Sequence, residues 1–258
     1  MTMAVTTKEA EHPLARLLRP LKAGAREPDP VTAADRFRWF LRGIGQVFIT
    51  AGVVVLLFCV YELEITNLYT KREQKALDNT LTKQWDQPVA PTTPIPQLTA
   101  YDRGKGIARL YFPTLGKDQV RVVVEGVGHE DLKKGPGHYP GTDLPGQVGN
   151  VVISGHRTTY GAPFNRVDEL HLGDAIVIET QSSFYTYKVT ALTIVAPDAI
   201  GETDHVPNQP RTVPTQRLLT LTTCNPKYSA RTRLIVRALL ATTLAKGPGI
   251  VPPALGGH

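Results

Sequence analysis

The chain has 258 residues, of which 41% are hydrophobic and 20% charged, enough for one medium domain with extensions and ordinary for a globular protein. A formal charge of +6 suits an anionic membrane or wall surface, and the absence of any basic run interleaved with aromatics argues against nucleic acid as a partner. Two cysteines, Cys59 and Cys224, are too few for a disulfide framework. Cys59 lies inside an apolar run, so Cys224 is expected as a free thiol.

Residues 1–39 read as a disordered leader, polar, charged and proline-punctuated over 1–30. Residues 44–61, IGQVFITAGVVVLLFCVY, carry no charge, and the stretch 40–63 approaches the roughly 20 residues a membrane-crossing helix needs. Eight Lys or Arg lie within residues 1–42, whereas Glu62 and Glu64 follow the span. That asymmetry predicts a cytoplasmic N-terminus and a single-pass topology with the bulk of the chain outside the cell membrane. No small-x-small site follows the apolar run, so a retained anchor is expected rather than a cleaved signal.

Residues 64–99 read as an extracellular stalk and linker. A polar helix is expected up to Trp85, and DQPVAPTTPIPQLT then carries four prolines and suits a semi-rigid spacer. The globular domain is expected over 100–243, and 244–258, rich in Gly and Pro, as a flexible tail. Within the domain, strand-like runs occur at 107–112, 120–124, 150–154, 175–180, 184–195, 217–223 and 232–239. Turn signals such as GPG, HLGD and NPKYSA separate them, and FNRVDEL suits one helical turn. Seven or eight short strands with little helix predict an all-β domain, a closed or nearly closed barrel.

Cys224 ends the strand-like run TLTTC and opens a turn, where a thiol is rigidly held yet reaches the surface. A small core hydrophobe is the other reading of a lone cysteine. Arg233 stands across the following turn, so a hairpin would set it beside Cys224. A guanidinium there favours a thiolate and can stabilise an oxyanion. Arg231, Arg233 and Arg237 share one side-chain parity and would make one strand face basic. His156 follows Gly155 at the end of NVVIS and can protonate a leaving amine and deprotonate an incoming one. His129, His138, His171, His205 and His258 fall in turns or tails, and His12 in the leader. No G-x-S-x-G, H-E-x-x-H or paired C-x-x-C is present, which argues against a serine hydrolase or a zinc site. No metal and no cofactor are expected.

TLTTC at 220–224, an arginine nine residues on at Arg233, and SGH at 154–156 occur in the order histidine, cysteine, arginine. Together they resemble the sortase family of cysteine transpeptidases over about residues 104–240. The resemblance implies an eight-stranded sortase-type β-barrel, with Cys224 as nucleophile, His156 as general acid and base, and Arg233 binding substrate and stabilising the oxyanion. It implies that Thr223 shapes the substrate pocket. It also implies the partners: secreted proteins bearing a C-terminal L-P-x-T-G-like sorting signal, cut between Thr and Gly, and an amine on a cell-wall precursor. YGAPF at 160–164, CNPKYSARTRLIVR after the nucleophile and GPGHYPGT at 135–142 look like class E enzymes of high-GC Gram-positive bacteria. In that class the tyrosine matched by Tyr139 goes with a preference for L-A-x-T-G. A pilus-polymerising sortase, a hydrolytic cysteine peptidase on the same scaffold and a non-enzymatic surface-binding barrel are the alternatives.

Overall fold

The computed structural model describes residues 32–61, 66–86, 103–116 and 118–256. Most of the leader, with His12, most of the Pro-rich linker, and His258 lie outside the described residues. The chain divides between Val53 and Val54 into an N-terminal and a C-terminal unit.

Helix α1 (Ala33–Val60) begins inside the stretch read as leader. Thr32 explains the early start. Its hydroxyl oxygen accepts the Asp35 N–H at 3.3 Å, while the Asp35 carboxylate accepts the Thr32 N–H at 3.2 Å. This reciprocal cap satisfies donors that a helix end otherwise leaves orphaned. Among the described residues α1 is the one helix long and apolar enough to cross a membrane, and none of its residues is buried. Its 28 residues span about 42 Å at 1.5 Å each, against a hydrocarbon core of about 30 Å.

In the C-terminal unit eight strands close a barrel. They are β1 (Gly106–Tyr111), β2 (Val120–Glu125), β3 (Gly137–His138), β4 (Gly149–Ser154), β5 (Ala175–Glu179), β6 (Ser183–Val195), β7 (Arg217–Asn225) and β8 (Thr232–Ala245). Neighbours run β1-β2-β3-β4-β7-β8-β6-β5, and β5 closes on β1. Side chains alternate across the wall. Val151 and Ile153 of β4, Leu219 and Leu221 of β7, and Leu234, Val236 and Ala238 of β8 face the core. Tyr187, Ile176 and Ile178 join them, and Phe112 meets Phe164 edge-on at 6.1 Å. Each such large apolar side chain contributes about 1.5–3 kcal/mol by leaving water.

Seven of the eight strands coincide with the strand-like runs of the sequence. The eighth, β3, has two residues, too short to show a period. Its Gly137 lies so near the Gly126 carbonyl that a Cβ would collide with it. His138, read from sequence as a turn residue, is instead buried in β3, with Nδ1 2.7 Å from the Glu125 carboxylate. His129 likewise opens a short helix, α3 (His129–Lys134). FNRVDEL supplies a 3-10 turn at Val167–Glu169. Strand β8 runs to Ala245, where β6 pairs Ser183 with Ala245, and beyond it Pro253–Gly256 forms α4.

Helix α2 (Thr66–Trp85) is the polar helix expected after the span, and it is docked on β1 and β2. Leu81 buries itself beside Val122 and Gly106. The Gln74 amide donates to the Val122 and Lys134 carbonyls at 2.9 and 2.8 Å, and its oxygen accepts the Val122 N–H at 2.7 Å. Arg109 of β1 donates to Asp78 at 2.5 Å and to Thr82 at 2.6 Å, and its guanidinium lies 4.7 Å from the Trp85 ring. Gln74 pairs with the free polar edge that β2 presents to α2, so Gln74→Ala should leave Val122 groups unpaired and cost about 1–3 kcal/mol. Urea denaturation of the variant beside wild type measures that loss.

Candidate active site

Three adjacent strands carry the candidate residues. β4 and β7 pair in parallel, with Gly149 opposite Arg217 and Ser154 opposite Thr222. The ladder continues beyond β4, because the Gly155 N–H donates to the Thr222 carbonyl at 3.1 Å. His156 follows Gly155 at this end of β4, the end at which β7 carries Cys224. On the other side of β7, the antiparallel β7–β8 hairpin pairs Cys224 directly with Arg233. Cys224 and Arg233 thus form a row across β7 and β8, and His156, two residues past the end of β4, stands at the same end of the sheet. Core-facing Ile153, Leu221 and Leu234 have the opposite parity, so the row lies on the outer face of the barrel.

Thr223, one residue before the cysteine, points the other way and is 3% exposed. Its hydroxyl donates to the Gly155 carbonyl at 2.7 Å. It therefore ties β7 to the residue before His156, a bracing contact within the wall. Gly155 is required there because Phe164 would meet a Cβ at 2.7 Å.

His156 is partly exposed, but its Nε2 is buried and has no hydrogen-bond partner among the described residues. Its ring packs against Tyr160, centroids 5.0 Å apart. Burial first, and His129 second, hold the His156 imidazole below its ordinary value, which favours the neutral ring. Cys224 is a partly exposed free thiol. One Arg233 nitrogen donates to the Ala230 and Thr232 carbonyls at 2.9 and 3.1 Å, which braces the guanidinium against its own turn. No carboxylate among the described residues pairs with it, so its charge is available to a ligand.

The expected basic face narrows on inspection. Arg237 pairs with the buried Glu202 at 2.5 Å, and Arg231 lies exposed outside β8, so Arg233 is the member beside the thiol. Glu202 belongs to the long β6–β7 connection, whose Glu202 and Asp204 carbonyls each accept from Asn150 of β4 at 3.0 Å. Asn150 also accepts from Thr220 of β7 at 2.7 Å. The connection thereby covers the start of the same outer face and leaves the Cys224 end open. Tyr139 follows β3 and donates its N–H to the Val152 carbonyl at 2.8 Å. It is 36% exposed and stands opposite Val152, on the face of the row but four residues back from His156 along β4, a step of about 13 Å.

Two features escaped the sequence reading. Arg157, next to His156, is 3% exposed and pairs with Asp168 at 2.8 Å, while Lys227 of the β7–β8 turn approaches the same carboxylate at 3.9 Å. That shared carboxylate joins the loops after His156 and after Cys224. An arginine directly after the histidine was the available signal. The second feature is the turn Tyr160–Ala162, with φ of 50°, 73° and 42°. Holding Tyr160 and Ala162 in left-handed geometry costs about 1–2 kcal/mol each, and persists where surrounding contacts over-determine it.

The sortase domain family matches residues 110–241, essentially the barrel from β1 to β8, and the chain belongs to this family of cysteine transpeptidases. Sortase SrtE1 of Streptomyces coelicolor is 34% identical over 232 residues, covering 87% of this chain and 62% of that protein. The chain therefore spans less than two thirds of that relative. The structure of sortase E from Streptomyces avermitilis is 40% identical, covers 59% of this chain and 98% of that one, and superposes with a TM-score of 0.54. The SrtF sortase from Corynebacterium diphtheriae is 29% identical, with a TM-score of 0.60 over 67% of this chain and 100% of that one. Within the family, the chain is most like the class E sortases.

The lowered His156 value has a measurable consequence. In an NMR titration, His156 should titrate below the ordinary histidine value. The unfolded chain binds the His156 proton near pH 6.5, the folded chain only at lower pH. The stability linked to this group is thus complete above about pH 6.5 and falls as the pH drops through the folded midpoint. His156→Gln should flatten that part of the stability profile. A His156 midpoint at or above the ordinary histidine value would contradict the buried, neutral ring.

Proposed function

We propose that this chain is a membrane-anchored transpeptidase that cleaves an L-A-x-T-G or L-P-x-T-G-like sorting signal between Thr and Gly. What supports the reading is the β7–β8 register, which pairs Cys224 with Arg233 on the outer face, together with the parallel β4–β7 pairing, which brings the end of β4, two residues before His156, to the same end of the sheet. In this mechanism the Cys224 thiol gives its proton to the neutral His156, and the resulting thiolate attacks the threonine carbonyl. The tetrahedral oxyanion is stabilised by Arg233 and by the backbone N–H after Cys224. Collapse breaks the Thr–Gly bond, and His156 donates the proton that the leaving glycine amine takes up. The product is a Cys224 thioester. An incoming amine on a cell-wall precursor gives its proton to His156 and attacks the thioester. A new amide forms and the Cys224 thiolate is released. No cofactor is required, since every step is acyl or proton transfer.

Tyr139 and Thr223 take the substrate-binding roles in this reading. Tyr139 lies along the same face, at a distance that suits a residue of the signal several positions from the scissile bond. Thr223 acts by bracing the pocket wall at Gly155. Helix α1 is the anchor, with the N-terminus cytoplasmic and the barrel outside, as the charge asymmetry favours.

The full-length protein in detergent, an L-A-x-T-G peptide and a glycine-based amine make the test. Mass spectrometry should show ligated product and an acyl adduct at Cys224. Cys224→Ala should abolish both, and His156→Ala and Arg233→Ala should each lower turnover by about 100-fold or more. Cleavage without ligation would make the enzyme a hydrolytic peptidase. No adduct with either L-A-x-T-G or L-P-x-T-G would reject the proposal. A reporter fused at the C-terminal end should be active outside the membrane, and activity in the cytoplasm would reverse the topology.

A further inference from the structure

Helix α2 reaches the histidine loop. Asn67, in its first turn, accepts the Gly161 N–H at 2.8 Å across 94 residues of sequence. A Cβ at Gly161 would meet the Thr70 methyl at 3.1 Å, so the helix surface closes directly on this turn. Thr70 is 4% exposed and donates to the Lys133 carbonyl at 2.7 Å, which brings α3 to the same place. Helix α3 sets His129 edge-on against the Tyr160 ring at 6.3 Å. Tyr160 therefore has His129 as one aromatic neighbour and His156 as the other, the latter at 5.0 Å.

The His156 ring has little else to orient it. Its buried Nε2 meets no hydrogen-bond partner among the described residues. The plane of the imidazole thus depends on packing, and its ring neighbour is Tyr160. Tyr160 in turn sits in a run of left-handed residues that needs an external hold. The Asn67–Gly161 hydrogen bond supplies it from outside the loop.

We propose that α2 is a positioning element of the active site: Asn67 fixes the Tyr160–Ala162 turn, and Tyr160 fixes the plane of the His156 imidazole. Neither residue touches the reacting atoms. The segment that follows α1 in the chain thereby governs how well the site is formed. A catalytic barrel cut to begin after Trp85 would lack that element. The inference rests on the reading of His156 as general acid and base.

The test uses the full-length protein in detergent with Asn67→Ala, Tyr160→Ala and Tyr160→Phe, each checked for folding by its melting transition. Two quantities are read: kcat and KM for ligation, and the NMR titration midpoint of His156. The titratable and charged groups about that ring are His129 of α3 and Tyr160, with Arg157 the next residue in its own loop. Tyr160→Ala should lower kcat about tenfold or more with KM little changed, because a misdirected base impairs the chemical step rather than binding. The same variant should move the His156 midpoint up toward the ordinary histidine value, as water replaces the aromatic ring. Tyr160→Phe should restore both, since the ring and not the hydroxyl makes the contact. Asn67→Ala should lower kcat by a smaller factor in the same direction, and it keeps the test decisive if Tyr160→Ala does not fold. Wild-type kcat and an unmoved midpoint in Asn67→Ala and in any folded Tyr160→Ala would overturn the proposal. The midpoint reads the ring directly. If His156→Ala retained ligation, the functional reading would fail, while the packing of Tyr160 on His156 would still be measured.

Discussion

The parallel pairing of β4 with β7 is the constraint on which the rest of this structure depends. Parallel strands cannot be joined by a tight turn, so the chain between them must leave the sheet and return. Here it leaves as the histidine loop, builds β5 and β6, and returns through the long β6–β7 connection. The cost of that route is a long, non-local closure. Its result is that two strand ends emerge side by side at the same end of the barrel, one leading into His156 and the other ending in Cys224. The adjacent β7–β8 hairpin then adds Arg233 by a local contact.

Rigidity at that end comes from contacts that cross between strands. The Thr223 hydroxyl on the Gly155 carbonyl ties the two parallel strands at the last position before the row. Asn150, Thr220, Glu202 and Arg237 form a polar network further down the same face, where the buried Glu202 carboxylate is paired rather than isolated. Asp168 bridges the two loops that leave the row. The outer face is therefore braced by the β6–β7 connection at one end, while Cys224 at the other end is partly exposed.

Helix α2 changes how the N-terminal part of the chain is understood. A stalk would merely hold a catalytic barrel away from a membrane. The docked helix makes polar contacts through Asn67, Thr70, Gln74 and Asp78. These run from the histidine loop along α3 and β2 to β1. Its polarity, which from sequence suits a solvated rod, is spent on backbone groups of the barrel.

SGH, TLTTC and an arginine nine residues on were legible because they lie at strand ends marked by turn chemistry. Strand period and turn residues are local properties, and they determined seven strands, the all-β class and the apolar span. The Cys224–Arg233 contact was also accessible, since a hairpin is local. What only the tertiary structure decided is non-local. It comprises the parallel register that brings the ends of β4 and β7 together, the two-residue β3 whose formation depends on its neighbours, and the burial of His138 against Glu125. It also comprises the pairing of Arg237 with Glu202, which removes that arginine from the basic face, and the docking of α2 on a loop 94 residues away. Each rests on which surfaces meet after the chain has closed, and no residue's own propensity encodes its distant partner.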